Sequence, residues 1–458
     1  MTPWAEVEFG HADLGDPRRT RRLIEIATAR AQRPSMSLPP CFENKAPLKA
    51  MYKFCDNEHV DRDAVLASHY EATTQRVANV PVVLALQDTT ALDFTHHPAT
   101  QGLGLLGDAR HWGILVHTTL AVTPERVPLG LLHQQLIYRD PAEFGKRHQR
   151  KQRPIEVKES YQWLESLQAT ARVQAACPPS HLVSVGDREA DVYDVFLRSQ
   201  QLNQDVLVRT AWDRAVQHDE KYLWAYLESQ PVAGTVTVTV PRQAHQDARQ
   251  AHVSVRYAAV DLKPPRYRAK EKLPVMHVWG VLAREEQLPL GVEPIEWLLL
   301  TTVAVTTLAE ACERIAWYTC RWTIEIYHKI LKSGCRIEDR QFEQAARLER
   351  YVAIDRVVAW RVLGLTLQSR KTPQMSCEAF LEPEEWQALA CYMNHTLTPP
   401  EQPPTLQQAA RWIAQLGGFL GREGDSDPGV TVMWRGMQRL YDLVAMWRLF
   451  NHSNNMVN

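Results

Sequence analysis

The chain has 458 residues, 45% of them hydrophobic and 23% charged, with 52 Lys and Arg against 53 Asp and Glu for a formal net charge of −1. This is the composition of an ordinary globular protein of about two to four domains, or one large core with sizeable insertions, and it excludes a disordered or uniformly polyanion-binding chain. No apolar run reaches the roughly 20 residues of a membrane helix and "MTPWAEVEFG" lacks a signal-peptide layout, so no membrane partner and a cytoplasmic location are expected.

Residues 1–79 read as all-helical. In "DLGDPRRTRRLIEIATARAQR", Asp16 is a candidate N-cap and Pro17 the first helical residue, with Leu23, Ile26 and Ala27 on an apolar face. Arg18, Arg19, Arg21 and Arg22 crowd the first turns, where the helix dipole disfavours cations, and this misfit points to an external anion. Between Pro17 and Lys53 nine Lys and Arg face two Glu, and "KRHQRKQR" at 146–153 is a second basic cluster. Such patches suit nucleic acid held along defined tracks, although composition alone favours a solvated surface.

From residue 80 the period changes. "VPVVLALQDTTALDF", "HWGILVHTTLAVTPE" and "VPLGLLHQQLIYR" predict an antiparallel meander, followed by a helix at 156–176, the strand "HLVSVGD", the helix "ADVYDVFLRSQQL" and the strand "DVLVRTA". This is an α/β core with a mixed sheet, its first part spanning 80–212. Residues 213–305 read as a β-rich insertion with polar connections such as "PRQAHQDARQ" and "KPPRYRAKEKLP". The core resumes at 306–370, and 371–458 reads as a helical region. Its last helix, about 431–450, carries a stripe of Trp434, Met437, Leu440, Tyr441, Val444, Trp447 and Leu449 that reads as intramolecular core before partner interface. The eight cysteines are scattered without a C-x-x-C pair and read as reduced packing residues.

Two stretches carry candidate chemistry. In the predicted helix "WYTCRWTIEIYHKILKSG", Tyr318, Arg321, Glu325 and Lys332 fall within an arc of roughly 60°, against an apolar stripe of Trp322, Ile326, Ile330 and Leu331. A solvated face with an Arg321–Glu325 pair is the plainer reading. Asp88 in "ALQDTT" and Asp187 in "HLVSVGD" are placed at strand ends, where an open sheet gathers its chemistry, and Glu325 can complete a shared crevice. Three converging carboxylates need cations, and hard oxygen ligands suit two magnesium or manganese ions arranged for phosphoryl transfer. Glu189, Asp191 and Asp93 rank below these as ligands, and His96, His97 and His328 lack the spacing of a zinc site.

"QDTT", "GDREAD", "EWLLLTT" and the spacing Y-x2-R-x3-E-x6-K together resemble the bacterial cut-and-paste DDE transposases, in the insertion-sequence group typified by the transposase of transposon five. The similarity runs from "LGDPRRTRRL" to "AQLGGFL", most of the chain. The resemblance implies a ribonuclease-H-like core, a helical DNA-end-binding domain at 1–79 and a helical dimerisation domain at 371–458. It implies that Asp88, Asp187 and Glu325 hold the metal ions while Tyr318, Arg321 and Lys332 grip phosphates beside the scissile bond. Trp297 would receive a base turned out of the stack, with a core aromatic as the alternative. Arg209, and less strongly Arg214, would lie near the cleaved end, and Arg18, Arg19, Arg22 and Lys53 would bind double-stranded DNA with terminal inverted repeats. The implied partners are that DNA, target DNA and a second copy of the chain, and the implied course is cleavage through a hairpin followed by 3′-end transfer. The chain departs from the pattern in its basic "KRHQRKQRPIEVKESYQW" and in its last residues, "LYDLVAMWRLFNHSNNMVN". A cleavage-deficient, transposase-derived DNA-binding regulator is the rival expectation.

Overall fold

The computed structural model describes residues 2–42, 44–146, 153–240, 248–287, 291–422 and 424–455, with side chains to residue 450. Most of the basic 146–153 cluster, and 241–247 of the connection 241–250, lie outside the described residues.

Four helices open the chain: α1 (Trp4–Phe9), α2 (Pro17–Gln32), α3 (Lys45–Asp56) and α4 (Arg62–Val77). Asp16 caps α2 by accepting the Arg18 backbone N–H at 2.9 Å, and Pro17 stands where no hydrogen-bond donor is needed. Leu23, Ile26 and Ala27 are buried on the inner face of α2. α1 and α4 close onto the sheet through His69, whose ring lies 2.6 Å from Glu8 and accepts the Leu131 backbone N–H at 3.0 Å.

The core follows as β1 (Val82–Asp93), β2 (Gly104–Leu105), β3 (Trp112–Val122), β4 (Pro128–Ile137), α5 (Tyr161–Ala176), β5 (His181–Gly186), α6 (Tyr193–Leu202) and β6 (Asp205–Arg209). β1, β3 and β4 form the antiparallel meander, and β5 and β6 add in parallel beside β1. This is the ribonuclease-H-like order, with helices on both faces.

The 213–305 block contains α7 (Leu223–Glu228), β7 (Gly234–Val240), β8 (Arg249–Leu262), β9 (Met276–Glu285) and β10 (Glu296–Thr301). It differs from the expectation of an interruption, because β10 pairs antiparallel with β6 and the four strands prolong one sheet in the order β2-β3-β1-β5-β6-β10-β9-β8-β7. The open edge of β6 would otherwise leave its backbone donors and acceptors unpaired. β10 can fill that central position because Trp297 and Leu299 face one core layer while Leu298 and Leu300 face the other.

Beyond the sheet come α8 (Leu308–Thr319), α9 (Trp322–Lys329), α10 (Ala345–Lys371), α11 (Pro383–Asn394), α12 (Leu406–Leu416) and α13 (Val430–Asn455). The helix expected across 317–334 is broken into α8 and α9 at residues 320 and 321, and α9 runs on into a π turn at Ile330–Gly334. Along α13, Trp434, Met437, Leu440 and Val444 are buried, as the core reading requires, but Leu449 and Phe450 are 65% and 63% exposed. All eight cysteines are free and seven of them buried. Among the described residues no helix is long and apolar enough to cross a membrane.

Candidate active site

Asp88 does not end its strand. The β1–β3 ladder continues past it to Asp93 and Gly113, and what stops short is the parallel partner, whose ladder with β1 ends at Leu86 and Val185. Two residues beyond that last rung, Asp88 lies within β1 and Asp187 just past the end of β5, so both stand at the mouth of the β1–β5 pair. Asp187 also starts the following turn, accepting the Glu189 backbone N–H at 2.8 Å.

Glu325 comes from α9, and Arg321 joins the acids. Its guanidinium lies 2.5 Å from Glu325 Oε1 and 3.8 Å from Asp88 Oδ2. Burial pushes the Asp88 carboxyl up to about 7, with Asp187 and Glu325 adding to the rise against the pull of Arg321 and the Thr89 backbone N–H. His328 Nδ1 is 3.7 Å from Asp88, and burial holds that imidazole down to about 3, so it adds no positive charge near neutral pH. The crevice therefore gathers three carboxylates around one guanidinium, a hard-oxygen set short of positive charge, which suits divalent cations. Among the described residues no three acid, His or Cys side chains are already close enough to chelate an ion, and Arg321 bridges Asp88 and Glu325 instead.

The remaining predicted side chains arrange around this centre. The Arg209 guanidinium neighbours the Tyr318 hydroxyl and donates to the Glu296 carbonyl at 3.1 Å. Trp297 lies directly beneath, 6% exposed, with its ring edge-on to Tyr318 at 5.2 Å and to Trp322 at 6.0 Å. In this conformation it is the core aromatic of the two alternatives. Lys332 stands in the π turn and ties it to β1, donating to the Ala91 carbonyl at 2.9 Å and pairing with Glu338 at 3.1 Å.

Arg214 departs from its expected place. Its guanidinium is taken by buried Asp191, with Nε to Oδ1 at 2.7 Å, and the same carboxylate accepts the backbone N–H groups of Ala211 and Trp212. Asp191 thus holds the loop after β6 instead of the helix that follows it in sequence, a partnership across 23 residues that local spacing could not reveal. His328 beside Asp88 was likewise invisible as a site residue, since nothing in the sequence relates the two. The His97 Nε2 lies 2.8 Å from the Glu338 carbonyl.

The three-part organisation of the chain has close counterparts among known protein families. Residues 1–60 match the transposase DNA-binding family model, 156–355 the transposase DDE domain, and 357–454 the transposase Tn5 dimerisation domain. The chain belongs to the Tn5-like DDE transposases. The transposase is accordingly an enzyme that cuts and transfers DNA strands with divalent metal, and DNA and a second copy of the chain are its partners. The DDE match includes Asp187, Trp297, Tyr318, Arg321, Glu325 and Lys332 but begins after Asp88, whose place in the site rests on sheet register and on its contacts with Arg321 and His328.

On the DNA-binding segment of the transposase, the charge misfit in α2 is answered in part by local acids. Arg18 is paired with Asp16 and Arg22 with Glu25, while Arg19 donates to the Leu14 carbonyl at 2.7 Å. Lys53 is exposed in the last turn of α3. These four cations stand on α2 and α3, whereas the acids come from β1, the turn after β5 and α9.

Proposed function

We propose that this transposase cleaves DNA at transposon ends bearing terminal inverted repeats and transfers the freed 3′ ends into target DNA, with Asp88, Asp187 and Glu325 as its catalytic acids. The observation that carries the reading is the placement of Asp88 and Asp187 at the mouth of the β1–β5 pair with Arg321 bridging to Glu325. These acids would hold two magnesium or manganese ions, which when bound activate the attacking oxygen and stabilise the leaving one.

The protein's own groups then have distinct tasks. Arg321 and Arg209 fork onto phosphate oxygens next to the scissile bond, and Tyr318, beside Arg209, donates one hydrogen bond to a phosphate oxygen. Lys332 adds a point charge at the rim while fixing the π turn to β1. Arg18, Arg19, Arg22 and Lys53 contact the repeat. Arg214 remains the weaker candidate near the cleaved end, since buried Asp191 engages its guanidinium. Water attacks the phosphodiester at the transposon end and releases a 3′ hydroxyl. That hydroxyl attacks the opposite strand, closing a hairpin on the transposon end and releasing the flanking DNA. Water reopens the hairpin, and the 3′ hydroxyl displaces a target-strand oxygen, joining the two DNAs. The hairpin step rests on family resemblance. Dimerisation through the 357–454 segment, with the exposed tail of α13 at hand, brings two ends together.

The test incubates purified protein with magnesium and a duplex carrying the repeat that borders its own gene, and resolves nicked, hairpin and joined products. Asp88→Ala should abolish all three while preserving end binding. An Asp88→Ala protein that cuts at the wild-type rate would overturn the triad, and a wild-type protein that binds ends without cutting would support the regulator reading.

A further inference from the structure

Beneath α9 the sheet carries polar side chains that touch neither DNA nor metal in the reading above. Thr118 on β3 and Gln134 on β4 are buried, as are Tyr327 and His328 on α9. On β3 the residues that share the Thr118 face, Val116 and Leu120, belong to the apolar core. A hydroxyl and an amide buried in that layer cost stability unless they are bonded, so their partners are informative.

The ladders put these groups in one row. Asp88 pairs with Thr118 across β1 and β3, and Thr118 pairs with Gln134 across β3 and β4. α9 closes over the row. His328 Nε2 lies 3.3 Å from the Thr118 hydroxyl, and His328 Nδ1 lies 3.7 Å from Asp88 Oδ2. Arg321, at the start of α9, approaches the same carboxylate oxygen at 3.8 Å. Gln134 donates from Nε2 to Thr118 Oγ1 at 2.8 Å and to the Tyr327 hydroxyl at 3.1 Å, and Tyr327 donates in turn to the Arg356 carbonyl at 3.3 Å.

This chain of bonds has a direction. The Arg356 carbonyl can only accept, so it takes the Tyr327 proton, and the Tyr327 oxygen receives Gln134. The same amide nitrogen fills an acceptor position on Thr118, which leaves the Thr118 O–H for His328 Nε2. A neutral imidazole that accepts on Nε2 carries its proton on Nδ1, the nitrogen that faces Asp88. The reversed amide would take the Thr118 and Tyr327 protons for its oxygen and turn a bare Nδ1 lone pair toward the carboxylate, an electron pair against an anion.

We propose that His328 is a positioning residue for Asp88: Gln134 and Thr118 fix its tautomer, and the Nδ1–H so presented keeps Oδ2 on the protein side and leaves the other carboxylate oxygen to a divalent cation. The inference rests on the reading of Asp88 as a metal-holding acid. Partners that hydrogen-bond a ligating carboxylate set metal affinity by about 10- to 100-fold.

The test measures Mn2+ binding by electron paramagnetic resonance to the full-length protein bound to a pre-cut repeat end, with Asp88→Ala as the reference for ions held elsewhere. His328→Gln keeps the reach to Thr118 but removes the donor beside Asp88, and it should raise the Mn2+ dissociation constant about 10- to 100-fold. His328→Asn, whose amide N–H falls near the place of Nδ1–H, should recover most of that loss. Thr118→Val keeps the shape of threonine without its hydroxyl and should weaken binding about tenfold. Thr118→Ser, which keeps the hydroxyl and loses a methyl group, should bind Mn2+ as the wild type does. Unchanged affinity in His328→Gln and Thr118→Val, where Asp88→Ala loses the ion, would overturn this inference alone. Equal losses in Thr118→Ser and Thr118→Val would do the same, because packing and not the hydroxyl would then be responsible. Asp88→Ala that binds Mn2+ as tightly as wild type would overturn the metal-holding reading, and this inference with it.

Discussion

Replacing Trp297 by alanine separates its two alternative roles. The indole is buried between β10 and the α8–α9 junction and makes two edge-on ring contacts, with Tyr318 and Trp322. A buried Trp→Ala change costs about 3–5 kcal/mol, of which the two ring pairs account for roughly 1–3. For a folding unit the size of the 156–355 segment this lowers the melting midpoint by about 10 °C, at roughly 2–4 °C per kcal/mol. The midpoint is read on protein alone, without DNA, by thermal denaturation. In parallel, nicked and hairpin products are quantified at a temperature well below the variant's midpoint. Since Tyr318 rests on Trp297 and stands beside Arg209, the first nick should slow along with hairpin closure. A midpoint within about 2 °C of wild type, with hairpin formation abolished and nicking intact, would refute this reasoning and return Trp297 to a base-receiving role.

Asp355→Ala removes the carboxylate that faces Arg30, both side chains being fully buried, with paired contacts at 2.9 and 3.1 Å. It should cost about 3–5 kcal/mol in urea denaturation, because an uncompensated guanidinium is left inside, whereas Arg30→Met with Asp355→Leu should recover most of the loss. A single-variant loss under about 1 kcal/mol would contradict the pairing. His117 is held down to about 3, chiefly by burial and further by His133 and His328. The folded ring stays neutral while the unfolded one protonates near 6.5, so its contribution is intact above about pH 6.5 and drains as the pH falls. At pH 5 the loss is about 2 kcal/mol, and His117→Gln should flatten stability against pH between 5 and 7.

The legible parts of this chain were those written locally. Asp16, Pro17 and the Leu23, Ile26, Ala27 stripe specify α2 within a dozen residues, and the structure has each in place. Asp187 was readable because a short apolar run ends in a turn there. Asp88 was readable as an acid on the first core strand but not as a mid-strand residue. The alternation of "LALQDTTALD" continues through it, and only the length of β5 decides that the parallel ladder stops short. Pairing of β10 with β6 and of Asp191 with Arg214 joins segments far apart in sequence, and such partners leave no periodic trace. The break at residues 320 and 321 has neither Gly nor Pro to announce it.

The segment 330–340 explains how three separately recognisable regions act on one site. From the N-terminal region, Met36 accepts an N–H of Arg340 at 2.8 Å, and Arg340 also bonds to the Cys335 carbonyl that ends the π turn. From the dimerisation segment, the Trp434 ring lies over Gly334, where a Cβ would come within 2.9 Å of it, so only glycine admits α13 that close. Toward the crevice, Lys332 bonds to Ala91, and Glu338 accepts the Asp93 backbone N–H at 2.9 Å, both on the strand that carries Asp88. Glu325 sits at the other end of the same continuous helical run. The N-terminal helices, α13, the strand that carries Asp88 and the helix that carries Glu325 therefore meet through one set of packed, hydrogen-bonded contacts.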